Sequence, residues 1–567
     1  MRTFSSGRVR RVGSGVLAAG IVFALAVTPA AVAPAVAATS ATSATPKVYP
    51  AVQVSTDPSP ARAYNQPNML IDPVNPNILV IAGANYNAAW CGAFVSRDGG
   101  RSWTQAAGNA KPPAYATCVR SDLGPYLQAA FGADGTLYIA SAADNLGGQD
   151  DVDNLYLARS SDLGNDWEFS IIHVGETDHV FNTLLGTTHT GGEHYSLIQM
   201  ATDPSNPKYV YVGARYGIAN RAAPYGLFGQ IPLRGVVAVS SDGGVTFSQP
   251  KDILGSIPNS GVYGFFPPEL AVGPDGTVYA FGRELDPPLL PGQTKATASS
   301  PAGVAGDGPR QMALISTDHG KTWKDEFMDT SGVHCSACLQ NDEPDGAVDS
   351  KGNVYTVWAQ APSAANGDPS DIVFSSSNDG GKTWTPHKVL NDDGSVVDKE
   401  APGISVAPNG RIDVAWIDFR SSLQFDPGAT TNTELYWDVY YTYSTDGGKT
   451  WAKNIRISDR SMNKNAGYTV SDSYGLQAHE ALASTNDTTY FAWSDSRAGT
   501  TTDPVEDYYF TTAVHSTPAK PRSFGSGLAF GIALGVLAAG LILAIVVFAL
   551  RSRGSGPEAA PAVPAEA

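Results

Sequence analysis

Basic residues are scarce in this chain of 567 residues: 37 lysines and arginines stand against 54 aspartates and glutamates, a net charge of -17. Such a surface repels nucleic acid and anionic lipid, so neither is expected as a partner. Cysteine is scarcer still, at four residues. The arrangements behind common hydrolytic and metal chemistry are also missing. No Ser/His/Asp set stands in a nucleophile-elbow context, there is no His-x-x-x-His, and no second C-x-x-C accompanies Cys335-Ser-Ala-Cys338. The acidic stretch Asp144, Asp150, Asp151 and Asp153 misses the spacing of a calcium loop and reads as solvated. No metal and no cofactor is expected.

What the chain has instead is a repeat. Six near-copies of Ser-x-Asp-x-Gly-x-Thr/Ser-Trp begin at Ser96, Ser160, Ser240, Ser316, Ser377 and Ser444, the third ending in Phe247. Their aspartates, Asp98, Asp162, Asp242, Asp318, Asp379 and Asp446, recur at intervals of roughly 60 to 80 residues, the self-similarity of a closed array of sheet units. Asp followed by glycine between alternating apolar runs is a tight hairpin, since glycine accepts positive φ and the carboxylate takes the turn's N–H groups. The Trp then buries its ring between neighbouring units.

A second turn recurs ahead of each box and once after the last: at 72–77, 132–136, 203–208, 273–277, 349–353, 407–411 and 484–488. The fold class is therefore all-β, a seven-bladed β-propeller, with six blades the alternative. The last unit has its third strand, 507–513, but no box. The isolated apolar segment 48–55 supplies the missing outer strand, which would remove two open sheet edges. The propeller is expected to occupy residues 47–515.

The boxes resemble the Asp-box (BNR) repeat of sialidases and of many non-enzymatic propellers, over roughly residues 60 to 515. The resemblance implies that the box is a structural turn far from any active centre. It also implies six blades if the chain is a sialidase proper.

The ends are read from charge and hydrophobicity. Arg2, Arg8, Arg10 and Arg11, an uncharged run from Val16 to Val27 and Ala35-Val-Ala37 describe a signal peptide over residues 1–37 for Sec export. Leu528 to Leu550 carries no charge and is long enough to cross a bilayer as a helix. Arg551 and Arg553 place the tail 551–567 in the cytoplasm and the propeller outside, joined by a tether at 516–527. Gly527, Gly531 and Gly535 have the spacing of a weak homodimer contact. In an exported chain the cysteines are expected as two disulfides, Cys91 and Cys118 flanking the first box and Cys335 and Cys338 forming a rim staple.

In a four-stranded antiparallel blade the inner turns and the boxes emerge on one face, which leaves the long connections, and function, on the other. There the inner strands begin with Glu193, Glu269, Glu343, Glu400 and Glu480, while the second strands end with Arg215, Arg283, Asp418, Arg420, Asp495 and Arg497. Two readings of this ring are open. In one, each arginine pairs with the glutamate of its own blade, Arg420 with Glu400 and Arg497 with Glu480.

In the other, the sialidase resemblance implies an arginine clamp on a substrate carboxylate, Tyr195 as nucleophile beside Glu193, and a carboxylate acid/base. Rim aromatics, among them Tyr216, Tyr225, Phe228, Tyr263, Phe265, Phe266, Trp437 and Tyr474, suit sugar stacking or protein contact. The expected function is a membrane-anchored extracellular module that recognises a cell-surface or environmental glycan or a protein. The alternative is an exo-sialidase.

Overall fold

Apolar alternation cut every few residues by Gly, Asn, Asp or Pro allows only short antiparallel strands, and the computed structural model is built from them. It describes residues 45–515 apart from 57–61, 86–87, 89, 116–117, 119–126, 145–152, 177–178, 183–187, 220–233, 256–264, 285–310, 329–343, 361–368, 431–432 and 468–481. The signal segment, the tether, the apolar run 528–550, the glycine trio and the tail lie outside these residues. So do Glu343, Glu480, Cys335 and Cys338. Among the described residues no helix is long and apolar enough to cross a membrane.

Seven antiparallel blades follow one another around a central axis. The first runs outward through Tyr64–Ile71, Leu79–Asn85, Trp90–Ser96 and Thr104–Gln105. The next five have inner strands Leu127–Phe131, Thr188–Thr202, Phe265–Val272, Asp345–Val348 and Lys399–Val406. The seventh consists of Leu482–Ser484, Thr488–Asp495 and Asp507–Val514, and its outer edge is paired by Lys47–Val48 and Val52–Gln53. Lys47 pairs with Val514 and Val52 with Phe510, so the two ends of the propeller share one sheet. Arg62 and Ser55 both bond the buried Asp507 carboxylate beside that seam.

Each box is built as its residues dictate. In the first, Asp98 accepts the N–H groups of Arg101 and Ser102, each at 3.0 Å, and the hydroxyls of Ser96 at 2.8 Å and Ser102 at 2.7 Å. The Ser102 hydroxyl above all, with that N–H and Ser96, holds the Asp98 carboxyl at about 2, well below the usual carboxylate range. The boxes also pack blade on blade. Trp103 meets Phe510 of the seventh blade at 4.9 Å between ring centroids, and Trp451 meets Phe374 of the fifth blade at the same separation. The first of these contacts crosses the point where the ring closes.

Boxes and inner turns lie together: Gly99 N–H donates to Asn77 at 3.0 Å, Gly243 N–H to Lys208 at 2.9 Å, and His319 stacks on Tyr209. Near the axis, matched positions on the inner strands cross-link neighbours. Asn68 accepts Ala129 N–H at 2.9 Å and Asp345 accepts Ile404 N–H at 2.8 Å. Cys91 and Cys118 form a disulfide that ties the third strand of the first blade to the following connection.

The box glycines give a direct test of the blade-to-blade seam. Gly447 and Gly448 both have positive φ, 76° and 83°, but a Cβ at Gly447 meets nothing whereas one at Gly448 overlaps the Phe374 ring. Gly447→Ala is expected to cost the backbone strain alone, about 1–2 kcal/mol. Gly448→Ala adds about 1–3 kcal/mol for displacing the neighbouring blade, read from urea unfolding midpoints.

Candidate functional site

Strand periodicity fixes the charges on the face opposite the boxes. Residues i, i+2 and i+4 of a strand share one side, so the second strand of the sixth blade lines up Trp416 and Asp418 and aims Arg420 just past its end. The indole Nε1 of Trp416 donates to Asp418 Oδ2 at 2.9 Å. Arg420 clamps the same carboxylate through Nε at 2.9 Å and Nη2 at 2.7 Å. The guanidinium lies 3.9 Å from the Tyr440 ring centroid on the third strand.

The seventh blade repeats the device. Trp493 Nε1 bonds Asp495 at 2.8 Å, Arg497 Nη2 bonds Asp495 at 2.7 Å, and the guanidinium sits 4.1 Å from the Tyr509 centroid. The fifth blade keeps the first half, Trp358 Nε1 donating to Gln360 at 2.7 Å.

These contacts correct the expected pairing of Arg420; Glu480, the expected partner of Arg497, lies outside the described residues. Arg420 is held by Asp418 of its own Trp-x-Asp-x-Arg run, with Asp392 and Asp393 at 3.5 and 3.6 Å, and not by Glu400. Arg497 is held by Asp495 and Asp459, each at 2.7 Å. Burial opposes both arginine charges, but the hydrogen-bonded Asp418 and Asp495 outweigh it and raise both pKa values. The signal was present in the sequence as two identical i, i+2, i+4 patterns. A partner two residues away on the same side of a strand competes better than one across the blade.

The third blade gathers the other candidates. Glu193 and Tyr195 sit two apart on the inner strand, and Tyr195 is cross-strand to Tyr216 with ring centroids 5.5 Å apart. Glu193 accepts the hydroxyl of Tyr216 at 2.9 Å, the Glu176 N–H at 3.0 Å and the His173 ring at 2.7 Å. Burial pushes the Glu193 carboxyl up, but these donors prevail and hold it below its ordinary value. Tyr195 is buried, its backbone N–H donates to Asp153 at 3.0 Å, and burial pushes its phenol well up. The tyrosine hydroxyl that Glu193 receives is thus that of Tyr216. Arg215 donates to Ser196 at 2.8 Å, and Arg283 is half-buried opposite Gln311 in the fourth blade.

Glu400 is buried near the start of its inner strand, whereas Glu269, also buried, lies in the middle of Phe265–Val272 and not at its start as expected. Of the aromatic residues expected on the rim, Phe265 and Trp437 are buried, and residues 225, 228, 263 and 474 lie outside the described residues. Among the described residues of the connection 421–437 Phe425 is exposed, 58% accessible, and stacks on Tyr436 with centroids 4.1 Å apart. Its position was not legible, because an apolar residue within a polar loop has no periodicity to assign it. Among the described residues no cluster of His, Cys, Asp and Glu has the arrangement of a metal site.

The sequence profile of the BNR/Asp-box repeat matches residues 314–325 and 442–453, two of the six boxes. No curated protein sequence matches the chain. Solved structures that resemble it include a Hadza microbial sialidase, 14% identical with a TM-score of 0.40 over 77% of this chain and 73% of that one. An α-L-arabinofuranosidase from Fusarium graminearum is 13% identical with a TM-score of 0.39, covering 82% and 98%. An ulvan lyase of a polysaccharide lyase family is 10% identical with a TM-score of 0.43, covering 82% and 96%.

If the Trp-Asp-Arg units are structural, Asp418→Ala and Asp495→Ala each leave a buried indole N–H without its acceptor and strip a half-buried guanidinium of its buried carboxylate, leaving Arg420 the carboxylates of Asp392 and Asp393 and Arg497 that of Asp459. Each is expected to destabilise the propeller by about 3–5 kcal/mol in denaturant titrations. A loss below about 1 kcal/mol would show that the arginines are available for other work.

Proposed function

Since this chain is a BNR/Asp-box-repeat β-propeller, we propose that it is a recognition module, whose ligand, a glycan of the cell surface or the environment, docks on the face opposite the boxes. The observation that supports this reading over catalysis is the engagement of Arg420 and Arg497 by the protein's own carboxylates. A clamp for a carboxylate substrate requires guanidinium N–H groups turned outward, and here Arg420 commits Nε and Nη2 to Asp418 and Arg497 commits Nη2 to Asp495 and Asp459, while the guanidinium faces lie on Tyr440 and Tyr509. Export by segment 1–37 and anchoring by 528–550 complete the proposal, with the propeller outside the cell.

A second reading rests on the Tyr216–Glu193 hydrogen bond, which brings a phenol and a carboxylate together in the third blade. On that reading the protein is a sialidase-type hydrolase. Two measurements separate the two. Purified protein is screened on a glycan array and, in parallel, with fluorogenic sialosides. Recognition predicts array binding that Phe425→Ala weakens by roughly tenfold or more, without sialoside turnover. Turnover that disappears in Tyr195→Phe or Tyr216→Phe would replace this proposal with the hydrolase.

A further inference from the structure

The sixth blade carries the long rim connection 421–437, and its two described ends are joined through one serine. Ser422 Oγ accepts the N–H groups of Leu435 at 3.0 Å and Tyr436 at 2.8 Å and donates to the Tyr436 carbonyl at 2.8 Å. The root of the loop is thereby pinned, and its outer side presents Phe425 on Tyr436.

Its inner side carries Glu434, 2% exposed, whose carboxyl accepts the Thr433 N–H at 3.1 Å and hydrogen-bonds the carboxyl of Asp398. Asp398, 3% exposed, belongs to the segment that enters the inner strand of the same blade. Its Oδ1 accepts Ser370 N–H at 2.8 Å and Ser370 hydroxyl at 2.9 Å, and its carbonyl accepts Phe419 N–H at 3.1 Å.

Two buried carboxyls in hydrogen-bond contact resist ionising together, so below the raised second ionisation they hold one proton between them. The Ser370 N–H, with a hydroxyl whose one proton is shared between Asp398 and the Lys399 carbonyl at 2.7 Å, suits an ionised Asp398, which places the proton on Glu434. Burial, and after it the Asp398 charge, pushes the Glu434 carboxyl up to about 7, and burial pushes Asp398 up as well.

The charged groups around the pair are accounted for. Lys464, on the short turn Lys464–Ala466, lies over the Phe419 ring and offsets part of the negative charge at Glu434. Lys399 is fully buried and offsets part of the negative charge at Asp398, while its Nζ donates to Ser395 at 2.9 Å and the Val397 carbonyl at 3.0 Å and faces Asp393 at 3.4 Å. Arg420 is taken up by Asp418, Asp392 and Asp393, and Asp438 by Arg456, Ser458 and Ser461.

We propose that a single proton held between Glu434 and Asp398 fastens this rim loop to the blade, keeping the Phe425–Tyr436 platform in place in mildly acidic surroundings and releasing it in alkaline ones. The platform's role in binding rests on the recognition reading above; the fastening does not. A folded-state carboxyl raised above its unfolded value, about 4.3, contributes stability that is full below that value and is lost as pH rises through about 7. Above it, two like charges share a site closed to water, and moving the loop outward relieves them.

The test is amide hydrogen exchange of the full-length protein without ligand, with rates divided by the intrinsic chemical rate at each pH. Protection of the Leu435 and Tyr436 amides is expected to fall roughly tenfold between about pH 6 and about pH 8. In Glu434→Gln, whose amide keeps donating to Asp398, protection stays flat. Asp398→Asn, which removes the like charge from the other side, abolishes the fall independently should the first variant not fold. Equal protection at both pH values in the native protein, or the same fall in a folded variant, would overturn the proposal. Because the readout needs no ligand, its failure leaves the recognition reading standing, and a blank glycan array leaves this one standing.

Discussion

The contact on which the rest of the molecule depends is the seat of each box on the blade before it. The aspartate closes the hairpin by taking the turn's own N–H groups, and a glycine at positive φ leaves the room into which an apolar side chain of the neighbouring blade fits, a ring at Phe510 and Phe374. Apolar burial at these seams is non-directional, but the hairpin geometry makes it specific, because a hairpin fixed by its own carboxylate offers one surface to its neighbour. The seventh blade lacks a box, and the chain closes the ring by another route. Its outer edge is supplied by residues 47–53, and Trp103 of the first box lies on Phe510.

Charge is handled on the opposite face by the same logic of local partners. Only 16% of residues are charged, yet carboxylates are buried at matched places in several blades. Asp418 and Asp495 are neutralised within their own strands by an indole N–H and an arginine two residues on. That arrangement is cheap in loop entropy, since both partners leave one strand and need no distant segment to be ordered. Its consequence is that Arg420 and Arg497 are held by the scaffold's own carboxylates.

Asp398 and Glu434 are the exception. Their partners come from separate segments, they are two acids rather than an acid and a base, and a proton does what an arginine does elsewhere on the rim. The loop they join also exposes Phe425, stacked on the half-buried Tyr436. A buried site of high proton affinity therefore adjoins an exposed site of high contact area, and the first bears on the position of the second.

How much of this was legible depends on how local the cause is. The boxes, the inner turns and the count of seven blades follow from hairpin chemistry and strand alternation, which act over a few residues, and the free-standing apolar segment near residue 50 can be read the same way. The Trp-x-Asp-x-Arg partners were equally local, since strand periodicity puts Asp418 within reach of Arg420 before Glu400 is considered. Tyr216 as the donor to Glu193 is different, because it depends on cross-strand register, which a bulge between Ser196 and Gln199 shifts. Asp398 meeting Glu434 and Phe425 stacking on Tyr436 are different again, for they require a loop to fold back on its own blade. The sequence by itself determined the repeating unit, its turns and the face left for function. Only the tertiary structure decided which charges neutralise one another and which aromatic stays in water, because those outcomes turn on burial and on distances between segments that no short-range pattern encodes.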